Sequence, residues 1–376
     1  MKFEDYKSGK YTQQYQYQSF SPTPINCQWT WESPEINTLL EDAARYLGEL
    51  NAFSKMVPDV DHFIRMHITA EASQSSRIEG TQTNIDEAVM SKEEIDPDRK
   101  DDWQEVQNYI QAMNLSIKGL ETLPLSSRLI REAHGVLLSG AREQHKLPGE
   151  FRKSQNWIGG SSLKDAIFIP PHQDEVLSLM TDLENFWHNE NLHVPLIIKI
   201  GLSHYQFETI HPFLDGNGRV GRLLITLFLM SFKLLDKPCL YLSDFLEKNR
   251  AAYLDALMAA RTSNNIIHWV KFFLNAVIES AKKSKVTFEK ILTIKIEVDH
   301  IISTLGRRAE NAQKLVHHLY SYPIVNAEDV CKVLDIKPNV AHPLINVLLE
   351  KDILKENTGL KKNRLYSFEK YLKLYR

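Results

Sequence analysis

The chain has 376 residues, 43% of them hydrophobic and 25% charged, with a formal net charge of −3. That length supports two or three domains with ample cores, and the composition is that of an ordinary soluble protein. The near-neutral balance excludes a polyanion binder acting through overall charge.

Residues 1–34, rich in Gln, Tyr and Ser with scattered Pro, read as an extended arm that can pack on the body. From Glu35 to about Ala281 most segments read as helices, with starts marked by Ser33-Pro34, Pro58-Asp59, Ser126-Ser127 and Pro170-Pro171. One helix covers Asp61 to Ile78 and is ended by Gly80, just past the cap. This divides the region into an N-terminal helical part over 35–120 and a core over 121–281. Between 151 and 170 the helical pattern breaks. Alternation around Asn156-Trp-Ile and Ala166-Ile-Phe-Ile, with Gly159-Gly160-Ser-Ser between, predicts a β-hairpin. A long helical pattern from Ile278 to Leu305 reads as a connector, assigned to 282–306. Its apolar Ile291, Ile294, Val298 and Ile301 are placed to pack on the body or on a second copy, which leaves a dimer open.

Residues 307–376 change character. Helices are predicted over Ala312–Ser321, Ala327–Leu334 and Asn339–Lys351, then two short strands flanking Asn357–Asn363. Three helices and a hairpin are the pattern of a winged helix-turn-helix. From Gly306 onward there are 13 Lys and Arg against 8 Asp and Glu, a net of +5 that leaves −8 for the remainder. DNA binding is therefore open, with Lys361, Lys362 and Arg364 on the wing to touch phosphates. The recognition helix of that pattern, Pro338 to Glu350, has few long polar side chains to reach base edges, which favours a protein-binding or packing role.

The densest chemistry lies in His211-Pro-Phe-Leu-Asp-Gly-Asn-Gly-Arg-Val-Gly-Arg222, directly ahead of the apolar run Leu223 to Met230. Gly216, Gly218 and Gly221 allow backbone conformations that bring N–H groups close to an anion. The helix expected over the apolar run adds its N-terminal dipole. Arg219 and Arg222 supply fork-shaped donors for phosphate oxygens, and Asn217 a further donor. Asp215 is a hard oxygen ligand suited to Mg²⁺ shared with substrate phosphates. His211, with an ordinary value near neutrality, is placed to take a proton from an attacking hydroxyl. The same glycines satisfy G-x-G-x-x-G with Asp236 twenty residues on, but a dinucleotide fold requires a strand before the first glycine, and Ile197 to Ile210 has helical spacing. No G-x-x-x-x-G-K-[ST] motif occurs.

With every signature position filled, HPFLDGNGRVGR resembles the signature of Fic domain proteins. The resemblance covers roughly residues 35–376, and its specificity resides in these twelve residues and one upstream hexapeptide. It implies a mainly α fold, a Fic-type helical bundle with a β-hairpin flap followed by a winged helix. It also implies ATP and Mg²⁺ as cofactors, with AMP passed to a hydroxyl of a target protein and pyrophosphate released. By resemblance His211 is the general base and Asp215 the metal ligand, while Asn217, Gly218 and Arg219 contact the α- and β-phosphates and Arg222 holds the γ-phosphate. Gly216, Val220 and Gly221 complete the ATP-binding stretch, Asn249 reads the adenine edge, and Phe213 packs to fix the loop. The 151–170 hairpin resembles the family's flap, which pairs with the target segment as an added strand.

The upstream hexapeptide Ser75-Ser-Arg-Ile-Glu79-Gly80 resembles the (S/T)-x-x-x-E-(G/N) inhibitory motif of autoinhibited members. It implies that Glu79, with Ser75, pairs with Arg222 and keeps it from the γ-phosphate. The same glutamate is implicated, in relatives, in removing AMP. The expected function is an autoinhibited protein adenylyltransferase acting on Ser, Thr or Tyr of a target protein or of itself. The alternatives are a Fic enzyme that removes AMP or uses another nucleotide, and an ATP-sensing DNA-binding regulator.

Cys27, Cys239 and Cys331 are too scattered for a disulfide framework or a C-x-x-C metal site. Leu223 to Met230 is far shorter than the roughly 20 residues that cross a bilayer, and Met1 to Lys10 carry charge without an apolar core. The expected location is cytoplasmic, with no membrane partner.

Overall fold

A computed structural model describes residues 1–140, 146–360 and 363–376. The N-terminal stretch is folded onto the body: β1 (Gly9–Gln13) and β2 (Gln18–Pro22) pair antiparallel with Tyr11 opposite Phe20. Phe3, Tyr6 and Trp29 are buried beside it, because a segment with this many aromatic rings gains more from burial than it loses in chain entropy.

Helix α1 (Pro34–Met56) starts where Ser33-Pro34 predicts, with proline preset for the first turn. Helix α2 (Val60–Ile78) is buried over most of its length, and Gly80, at φ +108°, ends it beyond the Glu79 cap. The short α3 (Ile85–Ala88) carries an Asn84/Glu87 capping box. α4 (Lys100–Gly119) and α5 (Ser127–Leu137) follow, the latter capped by the Ser126 hydroxyl.

The centre is a helical pair. α7 (Leu196–Ile210) and α8 (Asn217–Ser231) are nearly wholly buried, and the polar groups this encloses must find partners inside, as His204 does with Gly221 O and the Tyr253 hydroxyl. α6 (Val176–His188) and α11 (Ile266–Ser303) pack on α7, α4 and α5 pack on α8, and α9 (Ser243–Lys248) and α10 (Arg250–Ser263) follow α8 in the chain and pack on α11. α11 is continuous through residue 281, so connector and core share one helix about 57 Å long at 1.5 Å per residue. Ile291 and Val298 are buried against the body, with Ile294 and Ile301 half-buried.

Over 151–170 the hairpin is reduced to one antiparallel bridge, Ile158 with Phe168; Ile158 N–H donates to Phe168 O at 2.8 Å and Ile167 N–H to Ile158 O at 3.0 Å. Phe20 N–H donates to Ile169 O at 2.9 Å, so the N-terminal hairpin braces this segment.

Past α11 come α12 (Ala309–Ser321), β3 (Ile324–Asn326), α13 (Ala327–Leu334), α14 (Pro338–Glu350), β4 (Lys355–Glu356), β5 (Leu365–Ser367) and α15 (Glu369–Leu372). The sheet order is β3-β5-β4, all antiparallel. Lys361 and Lys362, expected on the wing, lie outside the described residues. Among the described residues no helix is long and apolar enough to cross a membrane.

Candidate active site

The central pair is joined by the motif. α7 ends at Ile210, and His211 caps it in the left-handed region at φ +51°. A histidine does not adopt that conformation without support. Here Arg152 Nε and Asn156 Nδ2 donate to the His211 carbonyl at 3.0 and 3.1 Å. Asn156 Nδ2 also donates to Phe213 O at 2.8 Å. Phe213 is fully buried and stacks on His134 at 3.7 Å between centroids. Gly149 N–H donates to His134 Nδ1, so Nε2 carries the proton and donates to Asp215 O at 3.1 Å. Burial holds that imidazole at about 4, hence neutral.

Only one of the three motif glycines uses the left-handed conformation that favours glycine. Gly216, at φ +72°, is the N-cap of α8. Gly218 and Gly221 lie inside the helix, and their role is clearance: a Cβ on Gly218 would stand 2.2 Å from Glu79 Oε1, and one on Gly221 2.2 Å from Glu208 Oε1. The expected glycine-lined loop is thus a single left-handed turn feeding a helix start. As at any helix start, the first N–H groups have no intrahelical acceptor, and residues 217 to 219 line a cavity of about 420 Å³.

The Asn217 side chain, expected to donate to phosphate, is spent inward. Phe213 N–H donates to its Oδ1 and its Nδ2 donates to Phe213 O, both at 2.8 Å. Asn217 shapes the loop and offers its backbone. Asp215 lies at the rim with a 45% exposed side chain, 3.4 Å from Lys146 Nζ. Arg219 is buried, with Nη1 3.1 Å from Glu105 Oε2 and Nη2 4.0 Å from Asp215 Oδ1. Val220 is buried in the core and does not line the cavity. Asn249, expected at the adenine, is exposed between α9 and α10, donates to Phe245 O at 2.9 Å and does not line the cavity. The neighbouring Arg250 does line it.

Arg222 is 2% exposed and held from α2. Its Nε donates to Ser75 Oγ at 2.8 Å, and Nη2 to Ser75 O at 2.9 Å and Glu79 Oε1 at 2.6 Å. Ser75 and Glu79, four residues apart, lie on one helix face and grip one guanidinium. Burial works to raise the Glu79 carboxyl, but the charge and hydrogen bond of Arg222 outweigh it and hold the group below the usual carboxylate range.

His211 lines the same cavity, half-buried. Its Nδ1 lies 3.4 Å from Glu208 O, an acceptor, which leaves the Nε2 lone pair free. Desolvation, then the guanidiniums of Arg261 and Arg152, push it down to about 3. The titration near neutrality expected for a lone histidine is therefore lost, and the imidazole is a neutral acceptor throughout the physiological range. Glu208 is buried, its Oε1 has no partner, and burial raises its carboxyl to about 7 against the pull of Arg222.

Sequence reading did not find Arg152, Asn156, His134, Glu105, Glu208 or Arg261. Each reaches the site from outside the motif or acts through backbone contacts, and Glu208 is one of several polar residues on α7, with Lys199, His204 and Gln206, so no spacing singles it out. Among the described residues no cluster of three or more His, Cys, Asp or Glu could hold a metal by itself. Asp215 is a single rim carboxylate, the arrangement in which Mg²⁺ draws its remaining ligands from phosphates and water.

Residues 37–118 match the Fic/DOC family N-terminal profile and residues 124–229 the Fic/DOC family profile. The "Probable protein adenylyltransferase aq_aa38" of Aquifex aeolicus is 30% identical over 203 residues, 54% of this chain and 57% of that one. The "Protein adenylyltransferase Fic" of Drosophila melanogaster is 40% identical over 134 residues, 33% of this chain and 24% of that one. The chain thus spans between about a quarter and somewhat over half the length of these curated relatives. A Fic family protein from Desulfovibrio desulfuricans superposes with a TM-score of 0.56 at 21% identity, over 89% of this chain and 96% of that one, a likeness of fold.

Proposed function

The chain belongs to the Fic/DOC family, and on that premise we propose that it is a protein adenylyltransferase held inactive by Glu79. It moves AMP from ATP to a Ser, Thr or Tyr hydroxyl of a target protein or of itself. The observation that carries the reading is the grip of Ser75 and Glu79 on Arg222, at the head of a helix whose free N–H groups share a cavity with a neutral imidazole.

Each part has a task. The start of α8 and Arg219 receive the α- and β-phosphates. His211 accepts the proton of the acceptor hydroxyl as its oxygen attacks the α-phosphorus, and pyrophosphate leaves with the electron pair of the broken P–O bond. Mg²⁺, when bound at Asp215, neutralises charge on the phosphates. Arg222 would hold the γ-phosphate, and Glu79 occupies it instead, so ATP binds with its α-phosphorus turned from the attack line. Arg152 and Asn156 keep His211 in its left-handed position, and the bridge at Ile158 and Phe168 offers an edge for the target segment.

In this reading residues 1–34 are an arm that braces the flap, 35–120 carry the inhibitory helix, 121–281 the catalytic core, 282–306 the connector and 307–376 a winged helix. The exposed face of α14 shows Asn339, Val340, His342 and Asn346, which favours packing or protein contact over DNA readout.

The test is His211→Ala. Transfer of α-labelled AMP should vanish while calorimetry still shows nucleotide binding. Retained transfer would remove His211 from its role, and lost binding would mean that it holds the site together.

A further inference from the structure

The inhibitory helix is held at both ends by different parts of the chain. Its C-terminal end delivers Ser75 and Glu79 to Arg222. Its N-terminal half is enclosed by the C-terminal residues. Phe63 packs edge-on to Tyr320 at 4.8 Å and lies 6.4 Å from Tyr371. His67 lies 5.3 Å from the Tyr375 ring, whose hydroxyl is 3.0 Å from His67 Nδ1. Ser321 Oγ donates to His62 O at 3.2 Å, and the Arg65 guanidinium lies 4.0 Å over the Tyr322 ring. These are the contacts of the helix start, where Asp59, left-handed at φ +56°, makes no side-chain cap.

Between the ends, Glu71 accepts from Ser243 N–H at 2.9 Å and forms a fulcrum. From His67 to Glu79 the helix runs about 18 Å as one rigid element. Displacement at one end is therefore carried to the other, and the 2.6 Å contact of Glu79 with Arg222 tolerates only a fraction of an ångström before it weakens. The seam has room to move. A cavity of about 370 Å³ opens where α2, at Arg65 and Thr69, and the segment from Ala88 to Glu94 face the C-terminal residues Tyr322 and Val325.

We propose that residues 309–376 are a clamp that sets the inhibitory helix, with Tyr375 a positioning residue for Glu79. The activity of the site then depends on whether this module stays seated. The proposal rests on the reading of Glu79 as inhibitory.

The experiment is a cycle of Tyr375→Ala and Tyr375→Phe, each in the natural and the Glu79→Gly background, with initial rates of α-labelled AMP incorporation and hydrogen exchange over residues 72–79. With Glu79 present, Tyr375→Ala should raise the rate on the order of fivefold, the lower end of couplings between distant sites. Exchange at the helix end should rise with it, and Tyr375→Phe should give about twofold. In the Glu79→Gly background neither should change the rate. A merely structural role would instead lower the rate in both backgrounds. The clamp is overturned if Glu79→Gly is activated while neither Tyr375 variant is, or if Tyr375→Ala alters both backgrounds equally. Should Tyr375→Ala not fold, the near-isosteric Tyr375→Phe decides. If Glu79→Gly shows no gain, the inhibitory reading falls and the clamp with it.

Discussion

Replacing Glu79 by glycine frees Arg222 while leaving its other partners, Ser75 Oγ and Ser75 O, in place. The size of the effect follows from burial. A hydrogen bond to a charged group contributes about 1.5–3 kcal/mol, and an exposed ion pair about 0.2–1 kcal/mol. Arg222 is 2% exposed but the Glu79 side chain is 42% exposed toward the cavity, so the pair lies between these limits, at about 1–2 kcal/mol. At 1.4 kcal/mol per decade this predicts a rise in productive ATP binding, and hence in transfer at subsaturating ATP, of about five- to thirtyfold. The assay is the initial rate of autolabelling from α-labelled ATP for wild type and Glu79→Gly at equal protein. Rates equal within about twofold would refute the inhibitory role. Mild acid should not substitute for the mutation. The folded carboxyl is depressed, so the contact is complete above its ordinary value of 4.5 and is lost only as the pH falls below that.

Three further outcomes follow from the same geometry. Asn156→Ala removes one of two donors to the His211 carbonyl and one to Phe213, so kcat should fall about tenfold through misplacement of the base while nucleotide affinity stays nearly constant. Glu208 titrates at about 7 in the fold against 4.5 ordinarily, so its stabilising share is full below 4.5 and is lost as the pH rises through 7. Glu208→Gln should therefore raise the Tm at pH 8.5 by up to about 4 °C, the equivalent of about 3 kcal/mol in a chain this long, with the gap closing toward pH 4.5. Gly221→Ala places a methyl 2.2 Å from Glu208 Oε1 and 3.2 Å from Phe207 Cδ1, both buried, and should destabilise the fold by about 1–3 kcal/mol in denaturant melts.

Where signals are local, the sequence was sufficient. Proline at the first turn placed the start of α1, a serine cap that of α5, and a left-handed glycine the end of α2, because each acts within one turn of its own position. The helical spacing before Gly216 excluded a dinucleotide fold, and α7 is there. The start of α11 at Ile266 follows an Asn265 cap that accepts from His268 N–H, a local signal that sequence reading did not use. The three-residue β3 is too short to alternate legibly. In the site, residue types named the chemistry but not the partners. Asn217 and Asn249 are equally polar in sequence, and only the fold shows that one closes on Phe213 and the other on Phe245. Nor does any spacing reveal that Arg152 and Asn156 meet the carbonyl of a histidine more than fifty residues away.

The central claim is AMP transfer by His211, and the most direct measurement gives Glu79→Gly either α-labelled or γ-labelled ATP with Mg²⁺ and a protein extract. The account predicts label in protein from the α-phosphate and none from the γ-phosphate, abolished when His211→Ala is added. Label from the γ-phosphate, or α-label that survives loss of His211, would contradict it.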